Sequence, residues 1–265
     1  MLRTLRQPRW IGLSVVVVLL CLVFARLGLW QWHRAQGKWA SNDAMAAAAR
    51  AEPVPVGDLL STDGGPPKRV QWRQVTVTGT YLADRTVLVR NRSQDGERGF
   101  HVLVPLRSAQ GPALLVDRGF VAAGSTASTA PDIPAVPSGS VTVVGQVRPG
   151  EPSNERQSEL AQVGAYPSVT RIDPARILPQ LGVGSAYAGY VQRTGETPAP
   201  AATPAALDLP EADVGINLAY AFQWYVFIGV ALVGWFILLR RDTREAEEAA
   251  SGGAPSPPRR PAPVV

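Results

Sequence analysis

Two long apolar runs, one near each end of the chain, constrain what this sequence can fold into. The first covers Ile11–Ala25 and is extended by Leu27–Trp32, and the second covers Asn217–Leu239 without a charged residue. A bilayer core of about 30 Å requires roughly 20 apolar residues in a helix. The pattern therefore predicts transmembrane helices over residues 11–32 and 216–239, with a polar domain over residues 33–215 between them.

Arginines flank the outer ends of both runs. Three arginines precede the first run, and three arginines follow the second run within five residues of its end. In contrast, the acidic Glu211 and Asp213 stand shortly before the second run. Because Lys and Arg accumulate on the cytoplasmic side of membrane helices, we expect a multi-pass protein of the cell membrane. Residues 1–10 and 240–265 would be cytoplasmic, and the domain would lie outside the cytoplasm. The Pro-rich tail over residues 240–265 has a composition typical of disorder.

A cleaved signal peptide is an alternative interpretation of the first run. It has an Arg-rich start, an apolar centre and a Val23–Ala25 segment that fits the small-residue cleavage rule loosely. Both interpretations place the domain on the same side of the membrane.

Short segments of alternating apolar and polar residues fill the polar middle of the chain. Valines alternate with threonines after Arg73, which is typical of a half-buried strand. Turn residues separate such segments roughly every 8 to 12 residues, so we expect a mainly antiparallel β barrel or sandwich with short helices. The predicted strands are 73–82, 85–92, 100–107, 113–121, 140–148 and 186–193; 53–68 and 194–210 are predicted linkers, 151–162 a loop with some helix, and 173–182 a short helix.

The composition argues against nucleic-acid binding and disulfides. The net charge is +5 and only Lys38 and Lys68 are lysines, with no basic stripe that interleaves with aromatic residues. The single cysteine, Cys21, lies inside the first apolar run, so we expect the domain to be stabilised by core packing alone.

Motifs for catalysis and metal binding are also missing from the sequence. It contains no nucleophile elbow, phosphate-binding loop, zinc-protease motif or Cys-x-x-Cys pair. His101 stands beside Val102 and is predicted to be a barrel-surface or lining residue. Asp95 and Glu97 lie in an Arg-rich turn and are predicted to form solvated ion pairs. We therefore predict that the chain is not an enzyme and has no metal site.

Polar and aromatic residues at the domain-side ends of the two predicted helices form the candidate functional site. Polar groups in or beside a membrane are costly and tend to be functional. Residues spaced by three or four share a helix face, and such a face could hold a planar amphiphilic ligand or a partner helix; ordinary interfacial anchoring is the alternative. The candidate residues are Trp30, Gln31, His33, Arg34 and Lys38 on the first helix, and Asn217, Tyr220, Gln223 and Trp224 on the second.

Four sequence blocks carry a family resemblance. They are LGLWQWHRAQGK at 27–38, VLVRNRSQDGERGFHVLVPL at 87–106, ALLVDRGFV at 113–121 and INLAYAFQWYVF at 216–227. In this order they resemble the signature blocks of the surfeit locus protein 1 family of cytochrome c oxidase assembly factors. The matched positions that the resemblance implies to be structural are Gly28, Asn91, Arg92, Gly99, Pro105, Leu106, Arg118 and Gly119.

The resemblance implies a membrane-bound assembly factor for a haem-copper cytochrome c oxidase. Such a factor assists haem a insertion or stabilises the catalytic subunit. The implied partners are that subunit and the haem a synthesis machinery, and haem a is the implied transient cofactor. A permanent accessory subunit of a respiratory complex and an exported ligand-binding β domain are the alternatives.

Three departures from the family pattern bear on the site. Asp117 stands where the family usually has Asn, and Phe120 where it has Trp. Asn217 stands where the closing helix usually has a His that could ligate haem iron, and Asn is a poor iron ligand. One hypothesis is that His33, at a similar depth on the other helix, takes that role.

Overall fold

The computed structural model describes residues 5–109, 111–124, 129–154 and 159–251, which form two compact units. One unit comprises the described residues up to Ser41 and from Ala212 onward, and we call it the helix unit. The other comprises Asn42–Glu211, and we call it the barrel unit.

Two long helices make up most of the helix unit. Helix α1 spans Pro8–Arg50, of which the residues from Asn42 onward are assigned to the barrel unit, and helix α3 spans Gly215–Ser251. Both are long and apolar enough to cross a membrane. The Ala-rich end of α1 is helical, as its composition favours.

Helix α3 extends beyond the point where we expected a disordered tail. It continues from Arg240 to Ser251, because the residues after Thr243 are mostly Glu and Ala, which are strong helix formers. The Nε atom of Arg241 donates to Oε1 of Glu245 at 2.8 Å, an i,i+4 pair that supports the same turns. The Pro-rich residues 252–265 of the predicted tail lie outside the described residues.

Helices α1 and α3 pack as an antiparallel pair along one seam. Trp10 contacts Trp235 edge-on with ring centroids 6.5 Å apart, and Phe24 stacks on Trp224 at 5.6 Å. One set of buried and half-buried positions on α1 alternates in spacing between four and three, which is the period of a coiled coil. We call these positions the helix seam of α1: Trp10, Ser14, Val17, Cys21, Phe24, Gly28, Gln31, Ala35 and Lys38.

The described residues of the barrel unit form nine strands in one mainly antiparallel sheet. The strand order is β1-β2-β6-β9-β5-β4-β3-β8-β7, and β2 also pairs with β4. This extra pairing closes β2, β6, β9, β5 and β4 into a five-stranded barrel, from which β3, β8 and β7 extend. The strands are β1 Val54–Pro55, β2 Gln74–Tyr81, β3 Val87–Gln94, β4 Glu97–Ser108, β5 Ala113–Ala122, β6 Val141–Arg148, β7 Ala161–Val163, β8 Tyr166–Val169 and β9 Ala186–Thr197.

Alternation along the strands produces two apolar clusters. On β2, Val75 and Val77 point into the barrel, where they join Val116, Val143 and other buried side chains. The opposite face of the sheet packs against the short helix α2, Pro174–Gln180, through residues such as Leu115 and Ile177.

The predicted barrel or sandwich is therefore a barrel. Three details of the structure differ from the prediction. The linker predicted at 53–68 contributes β1, which pairs in parallel with β2. The loop predicted at 151–162 ends in β7, which forms a hairpin with β8; residues 155–158 lie outside the described residues. Strand β9 continues four residues past its predicted end because its last residues pair with β6, as in Val143 with Glu196.

Candidate functional site

The amide side chains of Gln31 and Asn217 meet between the two helices. Nδ2 of Asn217 donates to Oε1 of Gln31 at 2.7 Å, and Asn217 is 7% exposed. Oδ1 of Asn217 is buried and has no hydrogen-bond partner among the described residues. Hydrogen bonds between polar side chains hold membrane helices together and fix their register, so this pair fixes the alignment of α1 with α3.

An aromatic cluster follows the amide pair along the seam. The rings of Phe24, Trp224 and Phe227 lie with centroids 5.6 to 5.7 Å apart, one pair stacked and one pair edge-on. Nε1 of Trp224 is buried without a hydrogen-bond partner in the described part of the chain. Two unpaired polar atoms therefore lie at this end of the helix unit, on Asn217 and Trp224.

Lys38 ends the seam beside the start of α3. Its Nζ atom donates to the backbone carbonyl of Asp213 at 2.7 Å, and the Asp213 carboxylate accepts the backbone N–H of Gly215 at 2.8 Å. The carboxylate thus caps the first turn of α3, as a short acidic side chain at a helix start does.

The remaining candidate residues lie on other faces of the two helices. His33 is exposed and follows Gln31 by two residues, which is about 200° around the helix. It therefore does not lie beside Asn217, where the hypothesis of a substitute iron ligand would place it. Four further candidates, Trp30, Arg34, Tyr220 and Gln223, are also exposed.

A second set of polar contacts joins the two helices at their ends remote from the amide pair. None of its residues is among the predicted site residues. Asp242 pairs with Arg9 and accepts a hydrogen bond from Nε1 of Trp10 at 3.2 Å. One turn further along, Nε1 of Trp235 donates to Ser14 Oγ at 3.1 Å. No periodic sequence signal indicates this pairing, because the apolar run of α1 is apolar on all sides.

A buried ionic network accounts for Arg118, one of the matched family positions. Arg118 is fully buried; its guanidinium donates to the carbonyls of Pro134 at 2.8 Å and Ala135 at 3.2 Å, and to Glu196 at 3.4 Å. Tyr81 donates to the same carboxylate at 3.0 Å. Burial, followed by the negative charge of Glu196, raises the pKa of Tyr81.

Asp117, a departure from the family pattern, pairs with His101. Oδ2 of Asp117 lies 2.9 Å from Nδ1 of His101, and Oδ1 accepts the backbone N–H of Gly119 at 3.1 Å. Asp117 is 1% exposed and His101 is half-buried on β4. The histidine is thus held in one orientation by a buried carboxylate.

Asn91 and Arg92 shape the bulge in strand β3. Asn91 adopts a φ of +61°, where the register between β3 and β4 shifts. Nη2 of Arg92 lies 2.7 and 2.8 Å from the two carboxylate oxygens of Glu151, and Oε2 of Glu151 accepts the N–H of Ile172 at 3.1 Å. These contacts tie the outer strand to the segment that precedes α2.

The other matched positions in strands β4 and β5 allow close packing. A side chain at Gly99 would collide with the carbonyl of Val121, only 2.1 Å away. The carbonyl of Pro105 accepts the N–H of Leu82 at 2.8 Å, and Leu106 is fully buried inside the barrel. Gly119 has a φ of +131°.

Gly28 lets the two long helices approach each other. A Cβ atom there would lie 3.1 Å from the ring of Tyr225, whereas a Cβ at Gly37 would meet no atom within 4 Å. We expect Gly28→Leu to separate the helices and Gly37→Leu to leave them paired. In a Cys21→Ser background, cysteines at positions 31 and 217 should cross-link readily with Gly37→Leu and severalfold less with Gly28→Leu. Equal cross-linking would show that close packing at Gly28 does not hold the pair.

Within the described ranges, no group of three or more His, Cys, Asp or Glu side chains could hold a metal ion. The described structure combines a small filled β barrel with two helices that are able to span a membrane. The two helices contact each other through amide and aromatic side chains. These features define a membrane-anchored β-barrel protein.

The model of the SURF1 family matches residues 18–229, and the chain belongs to this family. An uncharacterised SURF1-like protein of Mycobacterium tuberculosis is 33% identical over 250 residues, which cover 93% of this chain and 90% of the relative. A SURF1-like protein of Monosiga brevicollis is 28% identical over 271 residues, covering 95% and 93%. The cytochrome oxidase assembly protein SHY1 of Saccharomyces cerevisiae is 28% identical over 131 residues, covering 48% of this chain and 32% of the yeast protein. The resemblance carried by the four sequence blocks is confirmed.

Proposed function

We propose that the chain is an assembly factor for a haem-copper cytochrome c oxidase and that it works by binding rather than by catalysis. The observation that carries the proposal is family membership together with the yeast relative, which is named a cytochrome oxidase assembly protein. In this proposal the partner is the catalytic subunit of the oxidase, and the helix pair anchors the factor in the same membrane.

The proposed orientation follows the charges that flank the two helices. Both termini lie in the cytoplasm and the barrel unit lies on the outer side of the cell membrane. Arginines at the ends of the chain and acidic residues before α3 support this arrangement.

The residues between the helices do not fit ligation of haem iron. Asn217 uses its amide to bond Gln31, and His33 is exposed on a different side of α1. We therefore propose that the chain supports haem a insertion by stabilising the catalytic subunit, without an iron ligand from the helix seam. If purified wild-type chain and His33→Ala take up haem a with identical Soret bands, His33 is not a ligand; a shifted band in the variant would contradict this part of the proposal.

Deletion of the gene tests the function directly. We expect the haem a signal in membrane absorption spectra to fall severalfold while the signals of other cytochromes remain. Wild-type chain supplied in trans should restore it, and an unchanged haem a spectrum would overturn the proposal in favour of an exported ligand-binding domain.

Co-purification separates an assembly factor from a permanent accessory subunit. An affinity-tagged chain should recover the immature catalytic subunit and little active oxidase. Stoichiometric recovery with mature, active oxidase would identify a lasting subunit instead.

A further inference from the structure

We propose that one face of α1 binds the phosphate group of an anionic phospholipid. The face consists of Arg26, Trp30 and Arg34, and we call it the arginine face. Its members recur every four residues, so successive members are rotated by about 40° and all three lie on one side of the helix. None of them belongs to the helix seam, and all three are exposed.

The two guanidinium groups of the arginine face lack acidic partners. Among the described residues, neither Arg26 nor Arg34 forms an ion pair. At the other end of the helix unit, Arg9 pairs with Asp242 and Arg241 pairs with Glu245. The arginine face therefore carries two positive charges that the described chain does not balance.

Arg26 lies within the apolar part of the helix pair. Its neighbour Phe24 stacks on Trp224, and Gly28 approaches Tyr225, so Arg26 is level with the charge-free stretch of α3. A charged side chain at such a depth is costly in lipid and requires a polar partner. A long arginine side chain in lipid extends toward the nearer interface, which for Arg26 is the end of α1 at which Trp30 lies.

A phosphate at the level of Trp30 would satisfy both arginines. Trp30 is four residues from each of them, or about 6 Å along the helix axis, a distance that an arginine side chain covers. The side chain of Arg34 already extends toward Trp30, with its Cζ atom 5.6 Å from the centroid of the Trp30 ring. Planar guanidinium groups suit phosphate oxygens, and aromatic rings such as Trp30 mark the level of lipid headgroups.

The occupant is a lipid rather than a free ion because the site lies on the outer surface of a helix pair that the bilayer surrounds. Two cations without a carboxylate on the same face favour an anionic headgroup over a zwitterionic one. A site of this kind would fix the depth of α1 in the membrane, independently of the proposed function in oxidase assembly.

The test uses the full chain purified in a non-ionic detergent. Dioleoyl phosphatidylglycerol is titrated and the bound lipid is counted by native mass spectrometry, with dioleoyl phosphatidylcholine and inorganic phosphate as comparison ligands. The double variant Arg26→Gln/Arg34→Gln is compared with wild type. The matched control, Arg240→Gln/Arg244→Gln, removes the same charge from the end of α3.

We expect the double variant to bind the first phosphatidylglycerol about 30-fold more weakly than wild type. The control variant should keep the wild-type affinity, and phosphatidylcholine and inorganic phosphate should bind all three proteins weakly and alike. Size-exclusion profiles establish that each variant remains folded.

Three outcomes would overturn the proposal. An equal loss of affinity in the control variant would show that only net charge matters. Unchanged phosphatidylglycerol affinity in the double variant would show that the face does not hold the lipid. Unchanged lipid affinity with loss of a co-purifying oxidase subunit would assign the arginine face to a protein partner.

Discussion

Replacing Arg118 with leucine should lower the free energy of unfolding of the barrel unit by about 3 to 5 kcal/mol. The substitution leaves Glu196, which is 1% exposed, with Arg193 at 3.8 Å as its remaining guanidinium partner. It also removes the donors for the carbonyls of Pro134 and Ala135. A buried charge and buried carbonyls that lose their partners are penalised far more than an exposed ion pair. Pulse proteolysis of the full chain in detergent across a urea series measures the change.

Arg176→Leu is the matched control for Arg118→Leu. Arg176 is 45% exposed and lies 3.6 Å from Asp173, so we expect its loss to change stability by less than about 1 kcal/mol. The double variant Arg118→Leu/Glu196→Leu should be no more stable than Arg118→Leu, because Arg193, whose side chain is 8% exposed, then loses its carboxylate partner at 3.8 Å. Equal unfolding midpoints for Arg118→Leu and Arg176→Leu would show that the network does not stabilise the barrel.

Gly119→Ala should destabilise the barrel unit by about 3 kcal/mol or more. Gly119 has a φ of +131°, a conformation that other residues rarely adopt, and an added Cβ would lie 2.2 Å from the carbonyl oxygen of Ala205. That carbonyl accepts the N–H of Phe120 at 2.9 Å, and the N–H of Ala205 donates back to Phe120 at 2.8 Å. The substitution therefore strains the backbone and displaces the segment that pairs with the end of β5.

Gly64→Ala separates the cost of the backbone conformation from the cost of the steric contact with Ala205. Gly64 also has a positive φ, +69°, but nothing lies within 4 Å of its Cβ position. We expect a loss of only about 1 to 2 kcal/mol from the backbone conformation alone. The same proteolysis assay compares both variants with wild type, and a loss at Gly119 no larger than that at Gly64 would exclude the steric contribution of Ala205.

Local patterns predicted the strands and the two long helices well because burial acts on neighbouring residues. The alternation of valines, such as Val75 and Val77, with threonines identifies β2 without knowledge of its partner strands. The seam of α1 was not visible in the sequence, because apolar residues surround that helix on all sides. A spacing of four predicts that Trp30, Arg34 and Lys38 share one helix face, whereas the structure places Lys38 at the seam and the other two outside it.

Contacts between distant residues could not be predicted from a single sequence. Glu196 was assigned to a Pro/Ala linker, yet it is buried beside Arg118, which precedes it by 78 residues. The pairing of His101 with Asp117 depends on a register shift between β4 and β5. Asn217 drew attention as a replacement for a histidine, but its partner Gln31 became evident only from the packing of the helices.

The filled interior of the barrel limits where this protein can bind another molecule. Even eight strands enclose just enough room for side chains or one small ligand, and here five strands surround a tightly filled core that includes Val75, Leu106 and Leu114. A porphyrin or a peptide could not enter without unfolding the barrel. The barrel therefore offers binding surfaces on its outside rather than a cavity inside it.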